Sequence, residues 1–159
     1  MAAFLTTRQL RVARQANHID AVRLLLSEFR DASFYRHYRL VIDDLRANYP
    51  ANTPLSDLKA EHQNAVIDVA HYYQSIVGMI AFDILDEGKV MAVAHGRLTS
   101  TWDAIESFVL AERLAHPRTE RNLFSILQEF AERASEMPDE SMLDLLKSPR
   151  RRKSVRSIG

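Results

Sequence analysis

Asp68 and His71 stand three residues apart in the most apolar stretch of the chain. On a helix they would share one face and could both ligate a metal ion. A di-metal carboxylate bundle needs such a pair twice, with two further carboxylates turned inward. No second copy exists, because three residues before His18, His37, His95 and His116 stand Gln15, Phe34, Ala92 and Arg113. Glu61 and His62 supply no second half, since adjacent residues diverge around a helix. The favoured reading of His71 is a core histidine hydrogen-bonded to a neighbouring helix, with no metal and no cofactor assigned.

Trp102, the only tryptophan, falls on an apolar helical face and reads as a core anchor whose indole N–H needs an acceptor. Arg113 lies three turns further along the same side. One reading gives it a buried ion pair with Glu106, Asp68 or Asp83, because a buried charge must be paired. The other gives an anion pocket built on Arg97 or Arg113. Arg97, Trp102 and Arg113 are therefore the candidate binding residues of the folded part. Nucleophilic catalysis has no support: there is no G-x-S-x-G turn, and the glycines stand alone at 78, 88, 96 and 159, so no phosphate loop forms. The absence of cysteine removes disulfides, thiolate metal sites and cysteine nucleophiles. These features point away from an enzyme, and no catalytic residue is assigned.

The formal net charge of zero hides an asymmetry. Residues 147–159 carry six basic side chains and no acid, which leaves residues 1–146 with a net charge of −6. Within the tail, Arg150, Arg151, Arg152 and Lys153 form an unbroken cationic run. Such a run would gain by counterion release on nucleic acid, or by attraction to an anionic membrane. Phosphorylation of Ser148, Ser154 or Ser157 would weaken either contact. No aromatic residue accompanies the run, so nucleic-acid contact would be nonspecific. A solubilising terminus, or intramolecular contact with the acidic body, explains the same composition.

Helices must position these residues. Only four glycines and five prolines interrupt 159 residues, and the apolar positions recur at three- and four-residue steps. A short opening helix is expected over 6–16 and a second over about 18–30, where Ile19, Val22, Leu25, Leu26 and Phe29 share a face. Phe34, Tyr38, Val41, Ile42 and Leu45 continue the pattern until Tyr49, which resists the α conformation because Pro50 follows. NYPANTP is a loop. Thr53 or Ser56 then caps a central helix over about 56–85 that looks too apolar to have a solvent face, with Gly78 marking a close helix approach. Asp86 caps a helix running to His116, which Gly96 and the run 99–101 would kink or divide. Pro117 opens the next helix, whose inner face is Leu123, Phe124, Leu127, Phe130, Ala131 and Ala134. A last helix is expected over about 139–147. The first fifteen residues lack the apolar core of a signal peptide, so a cytoplasmic location is expected.

From Tyr72 to Arg113 the chain reads YYQSIVGMIAFDILDEGKVMAVAHGRLTSTWDAIESFVLAER. This block resembles the uncharacterised bacterial helical family DUF4760. There a central helix with an aromatic before a small residue, an acidic cap, and a helix ending in a tryptophan and a later arginine follow in that order. Tyr72, Tyr73, Gly78, Asp86, Gly88, Trp102 and Arg113 match, FRDASFYRHY is compatible, and the resemblance spans roughly residues 15–135. The chain departs from the family's Phe-Glu pattern at Tyr72-Tyr73-Gln74, and no membrane helix of the kind that often precedes the family domain is read. The resemblance implies a fold and no activity.

The expectation is an all-α domain over 1–147, five or six helices bundled around a buried central helix, followed by a disordered, flexible basic tail over 148–159. The expected role is a non-enzymatic interaction or regulatory domain with a protein partner. Met142, Leu143, Leu145 and Leu146 would dock on the bundle itself or on a second subunit in a homo-oligomer, and both fit their spacing. The alternatives are peripheral binding of nucleic acid or anionic membrane through Arg150–Lys153, and a small-ligand or metal site around Asp68 and His71. A deep polar pocket with several convergent ionisable groups would count against the first role.

Overall fold

A computed structural model describes residues 31–137 together with Ser27. The helices expected over 6–16, 18–30 and 139–147, and the basic tail with Arg150, Arg151, Arg152 and Lys153, lie outside the described residues. Asp31 starts the first rod. Its carboxylate accepts hydrogen bonds from the backbone N–H of Ser33 at 2.9 Å and from the Ser33 hydroxyl at 2.8 Å, satisfying a donor that a helix start leaves unpaired. Helix α1 (Ala32–Arg39), a π-helical turn (Leu40–Asp44) and α2 (Leu45–Asn48) then run on as one rod. Its inward row is Phe34, Val41 and Leu45, all buried, with Tyr38 packed beside them. The rod stops where expected, with Tyr49 extended before Pro50.

After the loop, Leu55 and Leu58 are buried on either side of a 3-10 turn (Leu55–Asp57). Helix α3 (Ala60–Ala81) is four residues shorter at each end than the expected span. Neither Thr53 nor Ser56 caps it. The Tyr49 hydroxyl accepts from the Lys59 N–H at 3.3 Å, and its ring meets His62 edge-on. At the other end Asp83 takes the left-handed conformation, φ 56°. Asp83 and Ile84 return their N–H groups to the Ile80 and Met79 carbonyls, closing the helix with a Schellman motif.

Two expectations about α3 are corrected. The helix is not enclosed on all sides: Val66, Val69, Ala70, Tyr73, Ile76 and Val77 are buried, but Asn64, Asp68, His71 and Ser75 form an exposed stripe. The first rod, α4 and α5 pack against it, and they leave one side of the cylinder open. Gly78 marks no close approach, since a Cβ placed there would meet nothing within 4 Å.

Asp86 caps α4 (Glu87–Ala115) by accepting from the Lys89 N–H at 3.0 Å. The helix is continuous. Gly96 and Thr99 do not divide it, and the Thr99 hydroxyl bonds back to the His95 carbonyl at 3.0 Å. Pro117 does not open a helix: the chain turns repeatedly until Phe124, which is buried in the left-handed conformation at φ 54°. Helix α5 (Ser125–Ser135) follows and lies antiparallel to α4, as the pairs His95–Ala134 and Arg113–Gln128 require. Its inner face is the expected one, with Phe124, Leu127, Phe130, Ala131 and Ala134 buried and Leu123 partly so. The described residues thus form four helical rods and no strand, an all-α structure.

Candidate functional site

Arg97, Trp102 and Arg113 all belong to α4, and the helix separates them. Sixteen residues at 1.5 Å per residue place the two arginines about 24 Å apart along the axis, so they do not share an anion pocket. Arg97 sits over the Tyr38 ring, 5.6 Å from its centroid, a cation–π arrangement joining α4 to α1. Close by, the Tyr73 ring is fully buried. Burial pushes its phenol well above the ordinary 10.0; nearby Tyr38 adds to the rise, and Arg97 and Thr101 oppose it. Thr101 is thus a neighbour of Tyr73, but neither hydroxyl makes a hydrogen bond of acceptable geometry.

Arg113 forms no ion pair with Glu106, Asp68 or Asp83. Its Nε donates to the Leu123 carbonyl at 2.9 Å, Nη2 donates to the same oxygen, and Nη1 donates to Gln128 Oε1 at 2.6 Å. The Gln128 amide donates in turn to Glu132 at 2.7 Å. Burial lowers the Arg113 pKa, and the Glu132 charge partly offsets this. The fork therefore fastens the turn before α5 to α4, a structural use of the guanidinium.

Asp68 and His71 do not act together. Asp68 accepts a hydrogen bond from His37 Nδ1 at 2.7 Å, linking α3 to α1. His71 is exposed rather than a core histidine, and its ring meets Phe124 edge-on at 5.2 Å. Among the described residues no three His, Asp or Glu side chains come together to hold a metal.

Sequence reasoning missed two arrangements. In the first, Glu112 is the one buried acid among the described residues; its Oε2 accepts from both the backbone N–H and the hydroxyl of Ser56, each at 2.9 Å. His116 Nε2 lies 3.4 Å from the Ser56 hydroxyl and 3.6 Å from Glu112 Oε1. Serine, histidine and carboxylate meet here, but not in the order of a nucleophilic triad. Ser56 donates to the acid, and both contacts of the imidazole use one nitrogen, whereas a triad needs the imidazole between the two. No local signal marks this node, because its halves are 56 residues apart.

The second is a cleft between α4 and α5, lined by Thr99, Trp102, Asp103, Glu106, Ala131, Glu132 and Ser135, with a cavity volume of about 200 Å³. Trp102 is only 4% exposed, as an anchor should be, but among the described residues its indole N–H finds no acceptor of the kind expected. The cleft does bring ionisable groups together, but all three are carboxylates, and it is smaller than the roughly 300–1,000 Å³ of ligand pockets.

No helix among the described residues is long and apolar enough to cross a membrane. Comparison with known proteins finds that the family model DUF4760, a domain of unknown function, matches residues 1–135. No curated protein and no solved structure matches the chain.

Proposed function

We propose for this chain, which belongs to the DUF4760 family, a non-enzymatic role as a helical interaction domain. One observation carries the reading: several of the described side chains with chemical potential fasten helices and turns to one another. Glu112 holds Ser56, Arg113 holds Leu123 and Gln128, His95 bonds the Ala134 carbonyl, and His37 holds Asp68. Meanwhile Leu110 and Leu114, one turn apart on α4, are 40% and 82% exposed. Single exposed apolar residues are ordinary, but a pair on one helical face suits a protein contact.

The test is the double variant Leu110→Glu with Leu114→Glu, compared with the unaltered chain after tagging and recovery from its native cells. The expected result is a stoichiometric partner, or a second copy by light scattering, that the double variant loses while its helical circular dichroism is unchanged. A chain that runs alone at monomer mass, or an assembly indifferent to both substitutions, would overturn the reading.

A second reading is favoured by the cationic run Arg150–Lys153 against the acidic remainder of the chain: peripheral attachment to nucleic acid or an anionic membrane. Retention on heparin and on anionic vesicles is expected to fall when the four residues are changed to glutamine. Unchanged retention would dismiss it.

A further inference from the structure

The row of α4 that carries Leu110 and Leu114 has acids at one end and arginines off the other. Asp103, Glu106, Leu110 and Leu114 recur at steps of three and four, which sets them in one line along the helix. Asp103 and both leucines are exposed, and Glu106 is half-buried. The helix stops at Ala115. The turns that follow carry Arg118 and Arg121, both exposed, while Glu120, the one acid of segment 116–124, is half-buried. Asp103, Glu106, Arg118 and Arg121 make no ion pair or hydrogen bond with any described residue.

The order inverts about a single point. Position 112 is midway between Leu110 and Leu114, between Glu106 and Arg118, and between Asp103 and Arg121. Across it the charge changes sign and the leucines repeat. A face with that pattern is its own complement, because a two-fold axis through the midpoint lays a second α4 antiparallel on the first. Leu110 then meets Leu114 of the second copy, and the converse. Along the axis Glu106 and Asp103 lie about 9 and 14 Å from the midpoint. On the other side the helix itself extends only about 5 Å. The His116 carbonyl there accepts from Thr119 and Glu120 before Arg113 holds Leu123 back against α4. That turn carries the two arginines off the helix end, where the acids of a second copy would stand.

We infer that this row is the contact between two copies of the chain. They pack antiparallel through α4, with the leucines at the centre and Asp103 and Glu106 of each copy facing Arg121 and Arg118 of the other. The inference rests on the interaction role proposed above and names the partner. A parallel pairing would set acid against acid and arginine against arginine, so the charges select the antiparallel one. Two leucines a side within a charged rim belong to the small, reversible class of interface.

Sedimentation velocity of the purified full chain over a concentration series is expected to show a reversible dimer that weakens as salt is added. Two charge-reversed forms test the register: acid-reversed (D103K with E106K) and base-reversed (R118E with R121E). Each alone is expected to dimerise at least about tenfold more weakly. Their equal mixture is expected to recover the dimer, because only the mixed pair sets opposite charges together at both ends. Circular dichroism establishes that each form is folded. Should E106K disturb α4, D103K and R121E, both at exposed positions, make the same comparison singly and mixed. A chain monomeric at every concentration, reversed forms that dimerise as the unaltered chain does, or a mixture that fails to recover the dimer would overturn the inference. If the chain is monomeric but a different protein is recovered with it and lost from the Leu110→Glu, Leu114→Glu variant, the self-contact falls and the interaction role stands.

Discussion

Ser56 and Glu112 are joined twice, through the serine's backbone N–H and through its hydroxyl, each 2.9 Å from the same carboxylate oxygen. A carboxylate delivered by α4 therefore does for the 3-10 turn what a local cap does for a helix. A hydrogen bond to a charged group is worth about 1.5–3 kcal/mol, and water can reach the exposed Ser56 once the acid is gone. Glu112→Ala is expected to lower stability by about 2–3 kcal/mol, and Ser56→Ala by less, because the backbone bond survives. Urea denaturation checks both, with the ranking as the decisive result.

Arg113 holds the Leu123 carbonyl with two nitrogens and Gln128 with a third. Lysine keeps the charge but lacks the planar fork. Arg113→Lys is expected to cost about 1 kcal/mol or more and to speed amide hydrogen exchange across residues 116–124, while the buried amides of α3 remain protected. Equal protection of that turn in the variant would contradict the role given to the fork.

Asp83 and Phe124 are the described non-glycine residues with positive φ, and they should respond oppositely to glycine. Asp83 is exposed at the end of α3, so Asp83→Gly loses little contact and relieves a left-handed residue, raising stability by about 1 kcal/mol. Phe124 is 2% exposed, so the same relief is outweighed by a lost aromatic side chain worth about 3–5 kcal/mol. Thermal melts of the two variants, shifted in opposite directions, are the expected outcome.

Tyr73 makes the alkaline limit of the fold testable. Burial raises its phenol pKa above the ordinary 10.0, so the folded chain holds the protonated form more firmly than the unfolded chain does. The associated stability is present in full below pH 10.0 and is lost as pH rises beyond it. Tyr73→Phe removes that dependence. It also removes a buried hydroxyl with no hydrogen-bond partner, so the denaturation midpoint at neutral pH is expected to hold or rise. Denaturation curves recorded from pH 8 to 11 check both parts.

What the sequence determined by itself is what one or two turns of chain decide. The all-α class, the stop before Pro50, the cap at Asp86 and the inner face of α5 depend on neighbours within a few residues, where spacing and side-chain type are enough. The same locality explains the failures. Pro117 is compatible with a helix start, but the turn from His116 to Phe124 is set by Arg113 holding Leu123 and by the burial of Phe124. The apolar composition of α3 suggested enclosure on every side, yet how many rods pack around it settled that Asp68 and His71 face solvent and that Gly78 meets nothing. Only packing made partners of Ser56 and Glu112 and brought the carboxylates of α4 and the one on α5 to line one cleft. Interactions across tens of residues leave no periodic trace, because the angle and depth at which rods pack choose among many side chains of the same type.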